Sequence, residues 1–214
     1  FLNRGSEVRI LEGAPKKVYC ITMISFFLPI KKDSKRVPNK NIQKIGKYKL
    51  GLTEIKILQL RKVINQLKKK KIICDITIST DSQKIKNFVK KFKWLNLHDR
   101  PARLAKDDCL DELIYEVPNI CKNKLILWTH VTSPFFDEKD YLNFIYKFIN
   151  QKKYKSAFSA NLLSTFVLNH KNIWVSHNRK NKKWPRTQDL KNLYAVNSAA
   201  FISSKETYIK SGDR

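Results

Sequence analysis

Short apolar runs alternate along the chain with longer segments in which apolar residues return every three or four positions. Five runs rich in β-branched and aromatic residues predict strands, at residues 25–30, 72–79, 125–129, 156–160 and 199–203. Four segments with helical spacing predict helices, at residues 50–69, 81–92, 107–119 and 137–150. This alternation predicts an α/β fold: a Rossmann-like, mostly parallel sheet with helices on both faces.

Two segments depart from the alternation. Residues 162–193 are polar, aromatic and irregular, so we expect a small inserted lobe at about 162–193 within one domain that extends from residue 23 to residue 214. Residues 1–22 also differ, because Phe1 to Pro15 contain no lysine and the only methionine is Met23. We expect residues 1–22 to be a non-native leader, read through from upstream DNA, or a disordered tail.

The net charge of +26 comes from 44 basic and 18 acidic residues. Such an excess is typical of proteins that bind nucleic acid, an anionic membrane or a phosphate-rich substrate. The alternative is codon drift in an A/T-rich gene, because lysines greatly outnumber arginines and are spread along the whole chain. We favour drift over a nucleic-acid partner, since no helix-turn-helix, zinc-finger or RNP pattern is present.

The cysteines and the longest apolar run bear on location. Cys20, Cys74, Cys109 and Cys121 form neither a CxxC pair nor a cluster with zinc-ligand spacing, which predicts reduced thiols in a cytoplasmic protein. The apolar run from Val18 to Ile30 is shorter than the ~20 residues that a membrane helix needs. We therefore expect no membrane partner.

The loop after the first predicted strand concentrates positive charge. Residues 28–41 read LPIKKDSKRVPNKN. Several cations that converge at a strand end would offset the dense negative charge of a triphosphate. An ordinary solvated basic loop has the same composition, so charge alone leaves both interpretations open. The cations of this loop are Lys31, Lys32, Lys35, Arg36 and Lys40.

Three further segments follow predicted strands or lie near one. Residues 78–81 read ISTD, residues 100–107 read RPARLAKD and residues 130–134 read HVTSP. Ligands of parallel sheets bind at the carboxyl ends of the strands, which makes all three candidate binding segments. Each also has a structural explanation: Asp81 or Ser82 as a helix cap, the second segment as a surface turn, and His130 as an ordinary hydrogen-bonded polar residue.

Taken together, these segments resemble the acylneuraminate (CMP-sialic acid synthetase-like) cytidylyltransferase family. Residues 78–81, 100–107 and 130–134 are similar to its Ser-Thr-Asp, Arg-Pro-x-x-Leu-Ala-x-Asp and Gln-Pro-Thr-Ser-Pro segments, and the similarity extends from about Ile24 to Arg214. There are departures, because Lys31 stands in place of an arginine and Asp33 in place of a glycine. The basic loop matches the family pattern in order and spacing at Ser34, Lys35, Arg36, Pro38, Lys40 and Asn41.

The resemblance implies a fold of the nucleotide-diphospho-sugar transferase type and the transfer of CMP from CTP to a 2-keto sugar acid, such as a sialic acid, with release of pyrophosphate. It implies that Lys31 and Lys40 are catalytic. The implied nucleotide-binding residues are Ser34, Lys35, Arg36, Asn41, Asp81, Arg100 and Asp107. The implied sugar-binding residues are His130, Thr132, Ser133, Arg186, Gln188 and Asn197.

The resemblance also implies Mg²⁺ as cofactor, a homodimer, and a role in lipopolysaccharide or capsule biosynthesis. The acidic pair that binds the metal in this family falls beyond Arg214, so no metal ligand is assigned in this chain. Two alternative functions stay open at this point. One is an inactive, C-terminally truncated relative of the family, and the other is a basic nucleic-acid-binding protein.

Overall fold

The structure, a computed structural model, describes residues 6–12, 22–32, 37–106 and 108–214. The described strands form one sheet in the order β1-β6-β7-β5-β2-β3-β4. Their bounds are β1 Ser6–Glu12, β2 Met23–Ile30, β3 Ile73–Thr80, β4 Leu95–Asp99, β5 Leu125–Thr129, β6 Tyr154–Leu163 and β7 Leu193–Ser204. The helices are α1 Gly51–Lys69, α2 Gln83–Val89, α3 Leu110–Ile120, α4 Glu138–Asn150 and α5 Lys205–Ser211.

The chain divides into two compact units. Of the described residues, 6–9 and 159–197 form the smaller unit, and the other described residues up to 158 and from 198 to 214 form the larger unit. The larger unit carries β2 to β5 and every helix from α1 to α5. The predicted lobe at 162–193 falls in the smaller unit, where an irregular chain joins β6 to β7. The assignment of residues 1–22 to a leader or tail stays a prediction.

Strand pairing brings four carboxyl ends to one edge of the larger unit. β2 pairs in parallel with β3 and with β5, and β3 pairs in parallel with β4. At the end of these ladders Ile30 lies opposite Thr80, and Thr80 opposite Asp99. β7 runs antiparallel to β5. The predicted mostly parallel sheet is therefore confirmed, with one antiparallel strand beside β5.

Both faces of the sheet are covered, as the apolar sequence of β2 predicts. Phe26 meets Tyr141 of α4 edge-on at 6.4 Å, whereas its neighbour Phe27 points to the other face and meets Trp128 at 4.8 Å. Leu113 of α3 lies in the same core cluster as Phe27. Successive side chains of a strand point to opposite faces. Full burial of each phenylalanine contributes roughly 1.5–3 kcal/mol.

Some element boundaries follow directly from sequence, and some do not. Asp137 caps α4 and forms a capping box with Asp140, which confirms the predicted helix start with an acidic first turn. The helix predicted at 107–119 begins only at Leu110. β4 and α5 were not predicted, because β4 is a five-residue strand and α5 buries a single side chain, that of Tyr208.

Candidate active site

The carboxyl edge of the parallel strands gathers four of the predicted site residues. Lys31 directly follows β2, Asp81 follows β3, Arg100 follows β4 and His130 follows β5. Because the strands lie in the order β5-β2-β3-β4, these four positions line one edge of the sheet. This is where ligands of open α/β sheets bind.

The basic loop is fixed to the start of α1. The side-chain Nδ2 of Asn41 donates to the carbonyl of Lys31 at 3.2 Å. The carbonyl of Asn41 accepts from the backbone N–H of Thr53 at 3.0 Å and from its Oγ1 at 2.6 Å. Asn41 is 7% exposed, so its side chain closes the loop from within, and Lys40 beside it is half-buried. Ser34, Lys35 and Arg36 lie outside the described residues.

Gly51, the first residue of α1, permits this close approach. Its φ is +46°, and a Cβ at this position would lie 1.9 Å from the carbonyl oxygen of Gln43. Only glycine adopts this backbone conformation without strain while leaving room for that oxygen. The return of the basic loop into α1 therefore depends on this residue.

Asp81 joins the ends of β2 and β3. Its carboxylate accepts the backbone N–H of Lys32 at 2.8 Å, across forty-nine residues of sequence. The N-cap of α2 is Ser82, whose side chain makes no capping hydrogen bond. Of the two residues expected as cap, Ser82 occupies the N-cap position, whereas the Asp81 carboxylate bonds the start of the basic loop instead.

The side chain of Arg100, the residue after β4, is anchored to the end of the neighbouring strand β3. It is 4% exposed, and its Nε donates to Ser79 Oγ at 3.1 Å while its Nη2 donates to the Ser79 carbonyl at 2.6 Å. Ser79 Oγ also lies 2.9 Å from His98 Nδ1. Burial lowers the pKa of the Arg100 guanidinium, and the nearby Asp81 opposes this, yet arginine stays charged near neutral pH. Asp107 lies outside the described residues.

His130 lies at the end of β5 as a neutral ring. The indole Nε1 of Trp128 donates to His130 Nε2 at 3.0 Å. Burial, and next the charge of Arg214, lower the pKa of His130 to about 4. With Nε2 accepting a hydrogen bond, the ring proton lies on Nδ1 and can be donated. Thr132 is exposed and Ser133 is half-buried.

Sequence reasoning missed Lys56, a fully buried residue of α1. Its Nζ donates to the carbonyls of Ser133 at 2.9 Å and Phe136 at 3.0 Å, and it lies 5.0 Å from the ring centre of Tyr141. Burial lowers its pKa from 10.5 to about 7. The sequence does contain a signal for this residue. Lys56 falls on the apolar face of α1 between Thr53 and Leu60, which are also buried, and a lysine on such a face indicates a buried amine.

The remaining candidates belong to the smaller unit. Arg186 pairs with Asp189, with Nε 3.1 Å from Oδ2, and both Arg186 and Gln188 are exposed. Asn197 donates to the side chain of Asn161 at 2.8 Å and also bonds Ser159. The ring of Trp184, which is 61% exposed, contacts two aromatic rings of the same unit, at 5.4 Å to Phe166 and 5.5 Å to Trp174.

The described residues contain neither a cluster of metal ligands nor a membrane-spanning helix. No group of three or more His, Cys, Asp or Glu side chains among them could hold a metal ion. In the same part of the chain, no helix combines the length and the apolar character needed to cross a membrane. Cys74, Cys109 and Cys121 are free thiols, and Cys20 lies outside the described residues.

Solved structures share the fold. The 4-diphosphocytidyl-2C-methyl-D-erythritol synthase of Anaerococcus prevotii has a TM-score of 0.55 at 14% identity, covering 89% of this chain and 75% of that one. A CMP:2-keto-3-deoxy-manno-octonic acid synthetase complexed with CTP has a TM-score of 0.57 at 13% identity, with coverages of 88% and 78%. The bifunctional IspDF of Campylobacter jejuni scores 0.57 at 10% identity, with coverages of 90% and 44%.

These identities establish the fold alone, and no curated protein matches the chain by sequence. The family is established separately, by a family model described as cytidylyltransferase that matches residues 26–209. The matched range includes the basic loop, the ends of β2 to β5 and the lobe between β6 and β7. This chain therefore belongs to the cytidylyltransferase family.

Proposed function

We propose that this chain transfers CMP from CTP to a 2-keto sugar acid of the sialic-acid type and releases pyrophosphate. One observation carries the proposal: Lys31, Asp81, Arg100 and His130 directly follow four neighbouring strands and so lie along one edge of the sheet. That edge combines cations for phosphates with hydrogen-bonding groups for a polar acceptor. The motif resemblance supports an acid acceptor, and membership of the cytidylyltransferase family supports CTP as the donor.

The basic loop would bind the triphosphate. Lys31 and Lys40 would bind its phosphates and stabilise the charge that develops at the α-phosphorus, together with Ser34, Lys35 and Arg36. The anomeric hydroxyl of the sugar acid attacks the α-phosphorus, the bond to the bridging oxygen breaks, and pyrophosphate leaves. Alignment and charge stabilisation supply most of the catalysis in such transfers.

Arg100, Asn41, Asp81 and Asp107 would bind the nucleotide in two different ways. Arg100 keeps N–H groups beyond the two bonded to Ser79, and these can donate to the ribose or a phosphate. Asn41 and Asp81 act through the backbone, because their side chains bond Lys31 and Lys32. For Asn41 and Asp81 the structure therefore favours support of the basic loop over direct contact with the nucleotide.

The acceptor sugar would contact the loop after β5. His130 is neutral, so its Nδ1–H can donate to a sugar hydroxyl, and the exposed Thr132 and the half-buried Ser133 offer further hydroxyls. Arg186, Gln188 and Asn197 of the smaller unit stay predicted ligands of the sugar acid, and a guanidinium such as that of Arg186 suits two-point binding of a carboxylate.

Mg²⁺ fits this arrangement as an ion that arrives with the nucleotide. Magnesium sites commonly combine one or two carboxylates with substrate phosphates. The phosphates of CTP would hold the ion, because the Asp81 carboxylate already accepts the backbone N–H of Lys32. The ion would neutralise charge on the phosphates. A homodimer, a cytoplasmic location and a role in lipopolysaccharide or capsule synthesis are further parts of this proposal.

The test is pyrophosphate release from CTP and Mg²⁺ with a panel of acceptors. We expect release with a sialic acid or 3-deoxy-octulosonic acid, and none with 2C-methyl-D-erythritol 4-phosphate. Lys31→Ala should abolish release, whereas Lys44→Ala, an exposed lysine later in the same loop, should not. CTP binding without release would indicate an inactive relative. Absence of CTP binding in calorimetry would refute the proposal, and salt-sensitive binding to any nucleic acid would favour the alternative.

A further inference from the structure

Two side chains from adjacent turns of α1 bind one short loop. Lys56 Nζ donates to the carbonyls of Ser133 and Phe136, and Gln59 Nε2 donates to the carbonyl of Pro134 at 2.7 Å. Residues 133–136 thus have three of their carbonyls bonded by α1. The loop itself has no regular structure, so these bonds replace those that a helix or strand would supply.

Lys56 occupies a costly environment for a cation. The residue is 0% exposed, and the charged groups that face it are Asp137 and Asp140 of α4, beside the ring of Tyr141. The two carboxylates raise its pKa, but burial outweighs them and the pKa falls to about 7. An apolar side chain of similar length would avoid this desolvation cost. The presence of an amine at this position is therefore explained by the loop carbonyls to which it donates.

The aromatic ring of Tyr141, beside Lys56, contributes to holding both ends of the segment that leads from β5 to α4. Tyr141, whose ring lies under Lys56, hydrogen-bonds Thr129 through its hydroxyl, and Thr129 Oγ1 donates to the Ala199 carbonyl at 2.7 Å. At the other end, Phe136 packs edge-on against Tyr141 at 4.7 Å. The last residue of β5 and the start of α4 therefore share one support.

We propose that Lys56 is a positioning residue for the acceptor, and that Gln59 assists it. The two side chains hold the backbone of residues 133–136 so that Thr132 and Ser133 face the sugar at the carboxyl edge of β5. This inference rests on the proposed function, because the acceptor is assigned there. The inference goes beyond the proposed function because it assigns a role to the buried face of α1, where no residue was expected to act on the substrate.

The test compares Lys56→Met with Lys62→Met, an exposed lysine of the same helix. We expect Lys56→Met to raise the KM for the sugar acid by about tenfold or more, because both hydrogen bonds from Nζ to the loop carbonyls are lost. The Kd for CTP should stay within about twofold of wild type, since the basic loop is untouched. Lys62→Met should change neither value. Equal sugar KM values for Lys56→Met and wild type would overturn the proposal.

A second variant guards against loss of folding. Gln59 Oε1 is buried without a hydrogen-bond partner among the described residues, so Gln59→Leu removes one loop bond and one unsatisfied oxygen together. It should fold normally and raise the sugar KM less than Lys56→Met does. An unchanged KM in Gln59→Leu would contradict the shared support.

Hydrogen exchange separates the two proposals. The amides of Ser133 and Phe136 bond the carbonyls of His130 and Ser133, so their exchange reports loop order. We expect faster exchange at residues 130–136 in Lys56→Met and unchanged exchange in Lys62→Met. Suppose that exchange is faster in Lys56→Met but the wild type transfers no CMP. This result would refute the proposed function and the acceptor role, and would leave the loop support established. Unchanged exchange with active wild type would refute the support itself.

Discussion

The pH dependence of stability should reveal the buried amine of Lys56. In the folded protein the pKa of this amine is lowered from 10.5 to about 7 by burial. Between these two values the unfolded chain keeps a proton that the folded chain has lost. Since the unfolded state binds more protons, the free energy of unfolding rises with pH in this window, and it falls again as the pH drops towards 7.

The magnitude follows from the width of the window. Each pH unit in which the unfolded state holds one extra proton is worth about 1.4 kcal/mol. Between pH 7 and pH 9 the gain is therefore about 2 kcal/mol for wild type relative to Lys56→Met, which lacks the group, because at pH 7 the folded amine is still half protonated. Below about pH 6 both states hold the proton, so the difference between the two proteins becomes constant.

Urea unfolding followed by tryptophan fluorescence, at pH 6, 7.5 and 9, measures this difference. Other titrating groups also change the free energy of unfolding with pH, but their contributions cancel in the comparison because both proteins contain them. They include the thiols of Cys74 and Cys121, whose pKa values burial raises to about 12. Lys62→Met is the control and should follow wild type at every pH. A wild-type advantage over Lys56→Met that is the same at pH 6 and pH 9, within about 0.5 kcal/mol, would refute the reasoning.

Three other substitutions test the supports of the site. Gly51→Ala should destabilise the fold by more than about 2 kcal/mol in urea unfolding, because a Cβ meets the Gln43 carbonyl, and Gly46→Ala, with positive φ but open space, should cost clearly less. Arg100→Lys should weaken CTP binding by about tenfold in calorimetry, since one ammonium cannot reproduce the fork bonded to Ser79. Asp137→Ala should lose about 1 kcal/mol of thermal stability with its capping box, and an unchanged melting temperature would contradict that cap.

Sequence predicts the positions of the site residues better than their contacts. The edge to which Lys31 and His130 belong follows from apolar runs and from the rules of parallel sheets, whereas the order of the strands comes from the structure. The direction of a side chain does not follow from such a pattern. Asp81 fits a helix cap equally well by position, and only the structure shows its carboxylate on the backbone of Lys32.

Weak local signals explain the elements that sequence missed. β4 has five residues, LNLHD, of which Leu95 alone is buried, and its place beside β3 comes from long-range pairing. α5 begins at the cap Ser204 and ends before Gly212, whose φ is +64°, but one buried residue gives no helical periodicity. Tertiary contacts decide both elements.

The structure relates the two halves of the site through α1. Thr53 bonds the carbonyl of Asn41 in the basic loop, and Lys56 and Gln59 bond the carbonyls of the loop after β5. These three residues recur at a spacing of three, so they follow one side of the helix over about 9 Å. Under the proposed function, a rigid helix that holds both loops would fix the distance between phosphates and acceptor, on which an in-line transfer depends. A shift of α1 should therefore impair both loops at once, whereas changes to Lys56 alone should affect the acceptor.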